Sequence, residues 1–322
     1  MSDTANVLFI HSGQSSFVKE DLKILGQFSQ VLEFHFTTSS SFLKLTSNFA
    51  RQFFWLLKNI PSANVCYCWF SDYHGLLPLL FSQMFNIPFI AVLGGFDCNK
   101  FEQLNYGIFC SSWRAPIGRY ILRNSSLLLP VDEHLISTDN QSMFWDEAHP
   151  NGVKNNVTDF NTSWEALSTG YDPSEWKAGP TERKKIVSTV AFVSDHRTAL
   201  IKGWDLFIET GRLKPDFKFN IVGCSPSFVD QLKEKYKPSE NIFFIPPQPR
   251  ENLAGIYRKT SVYLQLSRSE GLPNVLCEAM MCGCVPIGSP VFGIPNAIGD
   301  SGYVVQKPNP EEIAKLIVQA LD

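Results

Sequence analysis

Residues Ser267 to Gly288 read SRSEGLPNVLCEAMMCGCVPIG. Just ahead of them, SVYLQLS (Ser261 to Ser267) alternates and is rich in Val, Tyr and Leu, the pattern of a buried strand that closes on a small polar turn. Pro273 suits the first turn of a helix over Asn274 to Met281, Gly283 stops that helix, and Cys284 to Ile287 forms a second short apolar strand. Strand, glycine-containing turn, helix and strand make a unit that offers free backbone N–H groups and a positive helix end to an anion. Glu270 sits on the turn, and Glu278 lies about one and a half turns into the helix. Both carboxylates can address one ligand lying across the turn. Taken singly, Glu270 also reads as a charge favoured by the helix dipole and Glu278 as a solvated helix residue.

The spacing of these residues resembles the donor-site signature of retaining glycosyltransferases of the GT-B fold, family 4 in particular. That signature runs Glu-Gly-(Phe or Leu), a few residues, a second Glu, Ala-Met, and a Gly before Pro-Val or Val-Pro. EGLPNVLCEAMMCGCVP matches it almost position for position.

The whole chain sets the bounds. Its 322 residues are comfortable for two domains, and 44% hydrophobic with 18% charged residues describes a soluble globular protein with ample core. A net charge of −3 argues against a general nucleic-acid binder. No apolar run reaches membrane-span length and MSDTANVLFIHSG lacks the marks of a signal peptide, so a cytoplasmic location is expected. The eight cysteines include Cys66 with Cys68 and Cys282 with Cys284, too close for CxxC metal chemistry, and buried reduced thiols are expected.

Along the chain, NVLFIH (Asn6 to His11) empties into a small-residue turn containing Gly13, followed by the helical pattern VKEDLKILGQF. VLEFHF is a second strand, and after a serine-rich bend FARQFFWLLKNI (Phe49 to Ile60) reads as a helix packed under the sheet. ANVCYCWF is a strand ending near His74, LLPLLFSQMF a helix, and IPFIAVL a strand opening onto Gly94-Gly95-Phe96-Asp97. A partly basic stretch, SSWRAPIGRYILRNSS, precedes the strand LLLPVD, and Thr138 to Trp164 reads as an irregular surface connection with one helix at most. LSTGYDPSEWKAGPTERKK marks the domain boundary, dividing the chain into 1–170 and 171–322. Beyond it IVSTVAFV, FKFNIVG, NIFFIP and SVYLQLS alternate with helical segments, and PEEIAKLIVQAL is a last helix. Such alternation predicts α/β domains with parallel sheets and ligands at the carboxyl ends of the strands.

The resemblance implies the rest of the plan: two Rossmann-like domains facing each other across a cleft, the first (1–170) on the acceptor side and the second (171–322) binding the donor. It implies that Glu270 lies beside the transferred sugar, that the N–H groups of Gly271 and Leu272 orient sugar and diphosphate, and that Glu278 holds the ribose hydroxyls. Gly13 is a further donor-binding candidate. Lys202, in the Lys-Gly pair that opens a helix, matches the family's cation for the diphosphate, although a solvated role for it stays open. The family's arginine after the first strand of this domain is replaced by Ala191-Phe192, and Arg197, later in the segment SDHRTALIKG that reads as a longer loop, is the candidate substitute. Asn296 stands where the family commonly has an acid. On the acceptor side the candidates are His74 and Asp97, each as readily structural as functional.

The expected activity is therefore a retaining hexosyl transfer from a nucleotide diphosphate sugar to an acceptor hydroxyl, in glycan, polysaccharide or glycolipid biosynthesis. No Asp-x-Asp occurs, and neither a metal nor another cofactor is implied. The alternatives are an inactive nucleotide-sugar binding module and a nucleotide-sugar epimerase of the same fold. Expected partners are the nucleotide sugar and a glycan or lipid-linked acceptor, with no nucleic acid. Aromatic and basic groups at Arg51, Trp55, Lys58, Trp113, Arg114, Arg119, Tyr120 and Arg123 also suit peripheral contact with an anionic membrane face, against the plainer reading of helices packed on a sheet with solvated arginines.

Overall fold

Strand partners run parallel throughout both sheets of the computed structural model, which describes residues 5–39, 41–138, 150–179, 184–307 and 309–321. The described residues up to Gly170 form one compact unit and those from Tyr171 a second.

The first unit runs β1 (Asn6–His11), α1 (Ser16–Leu25), β2 (Gln30–His35), α2 (Phe42–Asn59), β3 (Val65–Trp69), α3 (Leu76–Met84), β4 (Phe89–Leu93), α4 (Arg114–Asn124), β5 (Leu127–Pro130) and α5 (Val153–Asn156). The strand order is β2-β1-β3-β4-β5. With right-handed crossovers, the leftward step from β1 to β2 puts α1 on one face, and the rightward steps put α2, α3 and α4 together on the other. Contacts agree: Phe53 of α2 meets Phe81 of α3 with ring centroids 5.4 Å apart, and the Tyr120 hydroxyl of α4 lies 3.5 Å from Gln83 of α3. The core strands are apolar on both faces, with Leu8, Phe9, Ile10, Cys66 and Ala91 all fully enclosed.

The second unit runs β6 (Ile186–Val193), α6 (His196–Ile201), α7 (Trp204–Arg212), β7 (Lys218–Cys224), α8 (Pro226–Tyr236), β8 (Ile242–Ile245), α9 (Arg250–Tyr257), β9 (Val262–Gln265), α10 (Asn274–Met281), β10 (Val285–Gly288), α11 (Gly293–Ile298), β11 (Tyr303–Val304) and α12 (Pro310–Gln319). Its strand order is β11-β10-β9-β6-β7-β8. Trp204 and Phe207 of α7, Phe219 and Ile221 of β7, and Ile313 and Ile317 of α12 form one buried cluster. Each such side chain contributes about 1.5–3 kcal/mol of burial.

In each sheet the connections reverse direction once. The reversal lies between β1 and β3 in the first unit and between β6 and β9 in the second. At such a point the loops leaving two adjacent strands diverge and open a crevice at their carboxyl ends. In the second unit those loops follow β6 and β9; the first leads into α6, which Lys202 closes, and the second carries Glu270.

Three expectations need correction. The helix over Phe49 to Ile60 begins earlier, at Phe42, and lies only partly against the sheet: Gln52 and Leu56 are buried, whereas Phe42, Leu43 and Phe54 are 76%, 79% and 69% exposed. In the described part of the irregular connection, residues 151–157 do not form a surface loop, because Asn151, Val153 and Val157 are buried, whereas 158–164 is largely exposed. Asn151 accepts the Lys100 N–H at 2.9 Å and donates to the Lys100 carbonyl at 3.1 Å, so its amide supplies the paired groups that a buried loop requires. Residues 163–167 then lie along β5, with the Glu165 N–H donating to Leu128 O and the Leu167 N–H to Pro130 O. Expected elements that fall within 139–149 lie outside the described residues. Of the eight cysteines, all free, Cys110 and Cys277 are only half-buried. Among the described residues no helix is long and apolar enough to cross a membrane.

Gly203 joins α6 to α7 with φ of +68°, and a Cβ there would stand 1.9 Å from Leu266 O. Backbone strain and a main-chain clash coincide at this point. Gly203→Ala is expected to cost about 2 kcal/mol or more and to lower the melting temperature of the second unit by several degrees. Thermal unfolding followed by circular dichroism checks this, and a variant melting with the wild type would show that the α6–α7 corner yields.

Candidate active site

The turn from Leu266 to Pro273 joins β9 to α10 and carries Glu270. Oxygen Oε1 of Glu270 accepts from the Lys202 ammonium at 2.6 Å, the Ser267 hydroxyl at 2.8 Å and the Gln265 amide at 3.0 Å. All three donors converge on the one oxygen Oε1. Lys202 closes α6, a helix whose N-cap Asp195 accepts the Thr198 N–H at 2.9 Å. The turn is fastened from several sides. Arg268 makes a bidentate pair with Asp205 at 2.8 and 2.7 Å and reaches Leu200 O, while its own N–H donates to Ile201 O at 2.7 Å. Charge-assisted forks of this kind fix geometry as well as adding energy. From the other side Ser289 Oγ donates to Ser267 O at 2.6 Å and the Gly293 N–H to Gly271 O at 3.0 Å. The N–H groups of Gly271 and Leu272 find no acceptor among the described residues. They stand just ahead of α10, where an anion is favoured.

Helix α10 spans Asn274 to Met281, the range expected, but Pro273 is its N-cap rather than a helical residue. Its end is set by Gly283 at φ of +81°, with the Gly283 N–H on Met280 O and the Cys284 N–H on Ala279 O. Glu278 on this helix is buried, at 3% exposure, which rules out the solvated reading. Its carboxylate faces Arg250 Nη2 at 3.6 Å. Arg250 also pairs with Glu175 at 3.3 Å and lies over the Trp176 ring at 5.1 Å. Burial pushes the Glu278 carboxyl up to about 7, against the pull of Arg250 and of the neighbouring Tyr257 hydroxyl, with Glu175 adding to the rise. Arg250, Glu175 and Trp176 line a cavity of about 360 Å³ together with Glu251, Ala254 and Arg258.

The remaining candidates are scattered. Arg197 is exposed on the first turn of α6, beside Asp195, and what read as a loop is this short helix. Phe192, in place of the family arginine, is 68% exposed at the end of β6. Asn296 is exposed on α11. In the first unit Gly13 follows β1, its carbonyl meets His11 Nδ1 at 2.7 Å, and a Cβ would find nothing within 4 Å, so no contact there demands glycine. His74 and Asp97 turn inward. The His74 Nε2–H donates to Trp69 O at 2.8 Å and the ring is 1% exposed. Asp97, fully buried, accepts the N–H groups of Ser71, Gly95 and Gly94 at 3.0, 3.0 and 3.1 Å. Burial raises its carboxyl to about 6, against the pull of those donors. Asp97 ties the loops after β3 and β4 together, and His74 fastens the loop after β3 to the end of that strand.

Sequence reasoning passed over Gln265, Ser267, Arg268 and Asp205 around Glu270, and Glu175, Trp176 and Arg250 around Glu278. A glutamine ending an apolar strand was a signal for the first group. Nothing local distinguishes Glu175 and Trp176, because their segment has the composition of a linker. That segment is instead tied into the second unit, with the Tyr171 hydroxyl on Asn274 Oδ1 at 2.6 Å and the Gly179 N–H on Cys282 O at 3.2 Å. Phe292, buried at φ of +46°, holds a strained backbone beside the Gly271–Gly293 bond. Among the described residues no three His, Cys, Asp or Glu side chains are grouped so as to hold a metal.

Residues 178–322 match the family model described as Glycosyl transferases group 1. D-inositol 3-phosphate glycosyltransferase of Segniliparus rotundus is 32% identical over 164 residues, 46% of this chain and 33% of that protein. One component of the phosphatidylinositol N-acetylglucosaminyltransferase of Arabidopsis thaliana is 23% identical over 161 residues, 48% of this chain and 36% of that protein. The chain thus spans about a third of the length of the curated relatives it matches. Among solved structures, the catalytic domain of starch synthase IV from Arabidopsis thaliana, bound to ADP and acarbose, superposes with a TM-score of 0.72 at 12% identity, covering 99% of this chain and 92% of that one. The two parallel-sheet domains therefore have the GT-B fold.

The buried Glu278 makes a pH-dependent stability term. Its folded value lies above the unfolded 4.5, so the stability it contributes is fully present below about pH 4.5 and is lost as pH rises through about 7. Glu278→Gln does not titrate. Between pH 5 and pH 8 the melting temperature of wild type is expected to fall relative to this variant, by an amount on the order of 2–3 kcal/mol or about 4 °C or more. Melting curves of both proteins at the two pH values measure it, and parallel curves would mean that the carboxylate is ionised throughout.

Proposed function

We propose that this chain, whose residues 178–322 match the model of glycosyl transferases group 1, moves a hexose from a nucleotide diphosphate sugar to an acceptor hydroxyl with retention of configuration. The observation that carries the reading is the Lys202–Glu270 contact at the reversal point of the second sheet. There the ammonium rests on the carboxylate. A diphosphate entering beside it gives it a second anion, and negative charge on that leaving group grows as the glycosidic bond breaks. The N–H groups of Gly271 and Leu272 and the N-terminal end of α10 supply further donors for the same oxygens, so the charge can be met without a metal ion. Glu270 Oε2 is the acceptor for a hydroxyl of the transferred sugar. Glu278, with Arg250 beside it, is the acceptor for the ribose hydroxyls. Departing phosphate serves as the base for same-face attack, so the reading requires no protein nucleophile.

The names of the relatives, one acting on phosphatidylinositol and one on inositol 3-phosphate, support a polyol or lipid-linked acceptor and a place in glycan or glycolipid biosynthesis. One observation favours an inactive nucleotide-sugar binding module instead: Arg197 sits on an exposed helical turn and Phe192 takes the position of the family arginine.

Donor hydrolysis separates the two readings. A panel of nucleotide sugars is first ranked by thermal shift, since the preferred donor raises the melting temperature. With that donor, wild type is expected to release free nucleotide diphosphate slowly, and Lys202→Ala to lower turnover about 100-fold or more with a smaller change in the apparent donor constant. Glu270→Gln should likewise act mainly on turnover. A donor that binds and is never cleaved, under any acceptor condition, assigns the chain to the binding-module class.

A further inference from the structure

The outer face of α2 is exposed and carries large apolar side chains. The helix buries Gln52 and Leu56 and turns Leu43, Phe54 and Leu57 outward at 79%, 69% and 45% exposure. Leu43, Ala50 and Leu57 recur every seven residues, as do Ser47 and Phe54, so they form one outward ridge about 21 Å long. One position further on, Lys44, Arg51 and Lys58 recur with the same spacing and make a basic row beside it. Helix α3, next in the same layer, adds Leu80 and Met84 at 39% and 67% exposure.

Charge on this layer is segregated. The chain carries 31 acidic against 28 basic residues, yet none of the acids falls on α2, α3 or α4. The arginines of α4 are tied down: Arg114 by Asp72, Arg119 by Asn156 O at 2.9 Å, and Arg123 by Thr158 O at 2.9 Å. Arg51 donates to His35 O at 2.6 Å and lies over the Phe34 ring at 4.7 Å, which holds it at the flank of the ridge. The basic face therefore lies on α2, beside the apolar ridge, rather than on α4.

We infer that the outward face of α2, continued by α3, is a docking surface for an anionic lipid bilayer. Large apolar side chains in a ridge, lysines and an arginine alongside and no acid on the helix suit insertion at a headgroup boundary. A protein partner would instead favour an apolar core depleted of lysine. This surface belongs to the first unit and stands whether or not the transfer reading holds.

Vesicle co-sedimentation of the full chain tests it. At low salt the protein is expected to pellet with vesicles of phosphatidylcholine containing about a third phosphatidylglycerol, and to bind phosphatidylcholine alone at least tenfold more weakly. Lys44→Gln and Lys58→Gln should each lower the partition constant about fivefold. The double variant Leu43→Glu, Phe54→Glu should abolish binding while melting with wild type, since both side chains are already exposed. The lysine variants keep the test sound if the double variant fails to fold. Protein left in the supernatant with anionic vesicles at low salt overturns the inference, as does wild-type binding by the lysine variants. A dimer seen by size exclusion and lost in Phe54→Glu, with no vesicle binding, assigns the ridge to a second copy and overturns it as well.

Discussion

Lys202 and Glu270 lie 68 residues apart in sequence and 2.6 Å apart in space, and the rest of the candidate site depends on that contact. Its cause is topological. Strand β6 sends its chain one way across the sheet and β9 sends its chain the other, so the loops that leave these neighbours diverge and expose the carboxyl ends between them. Lys202, at the end of α6, and Glu270, on the turn after β9, meet across that opening. The contact is supported rather than left to two flexible side chains: Gly203 lets α6 turn into α7 against Leu266, and the Arg268–Asp205 fork locks that corner to the Glu270 turn. Both supports join residues 203–205 to residues 266–268, on either side of the Lys202–Glu270 contact.

The second carboxylate is held by different physics. Glu270 has three donors on one oxygen, whereas Glu278 is buried on α10 with a guanidinium 3.6 Å away. A buried carboxylate with a partner at that distance is incompletely compensated, which is why burial wins and its proton affinity rises. Carboxylates perturbed in this way cluster at functional sites. Arg250 couples this carboxylate to Glu175 and Trp176, so a segment with linker composition becomes a wall of the cavity.

Polar groups of the first unit divide into those that hold the fold and those that face outward. Asp97 gathers three backbone N–H groups from two loops, and Asp72 pairs with Arg114, whose guanidinium also lies over Tyr73 and Phe96. Loops that turn inward need such acceptors because a buried N–H without a partner costs more than the bond would have contributed. Helix α2 shows the opposite arrangement, with a glutamine inside and phenylalanines outside. Packing against neighbours, rather than side-chain polarity, decided which of its faces is core.

The alternation of strands and helices, the α10 boundaries and the presence of two acids around one turn were legible in the residues, because each rests on local periodicity, turn chemistry and spacing. The pairing of Lys202 with Glu270 was only half legible: the motif named both, and strand order alone brought them together. Arg197 read as part of a loop because nothing in SDHRTALIKG signals six helical residues until Asp195 is seen capping them. Asn151 and the 163–167 segment read as surface because they are polar, and they are buried or paired because neighbouring backbone supplies their hydrogen bonds. Glu175 and Trp176 had no signal, since their partners lie about 75 to 100 residues further along the chain. Local rules thus determined the elements and the donor motif. Burial, ion pairing and the inside of each helix were decided only by tertiary structure, because these depend on which distant residues a side chain meets.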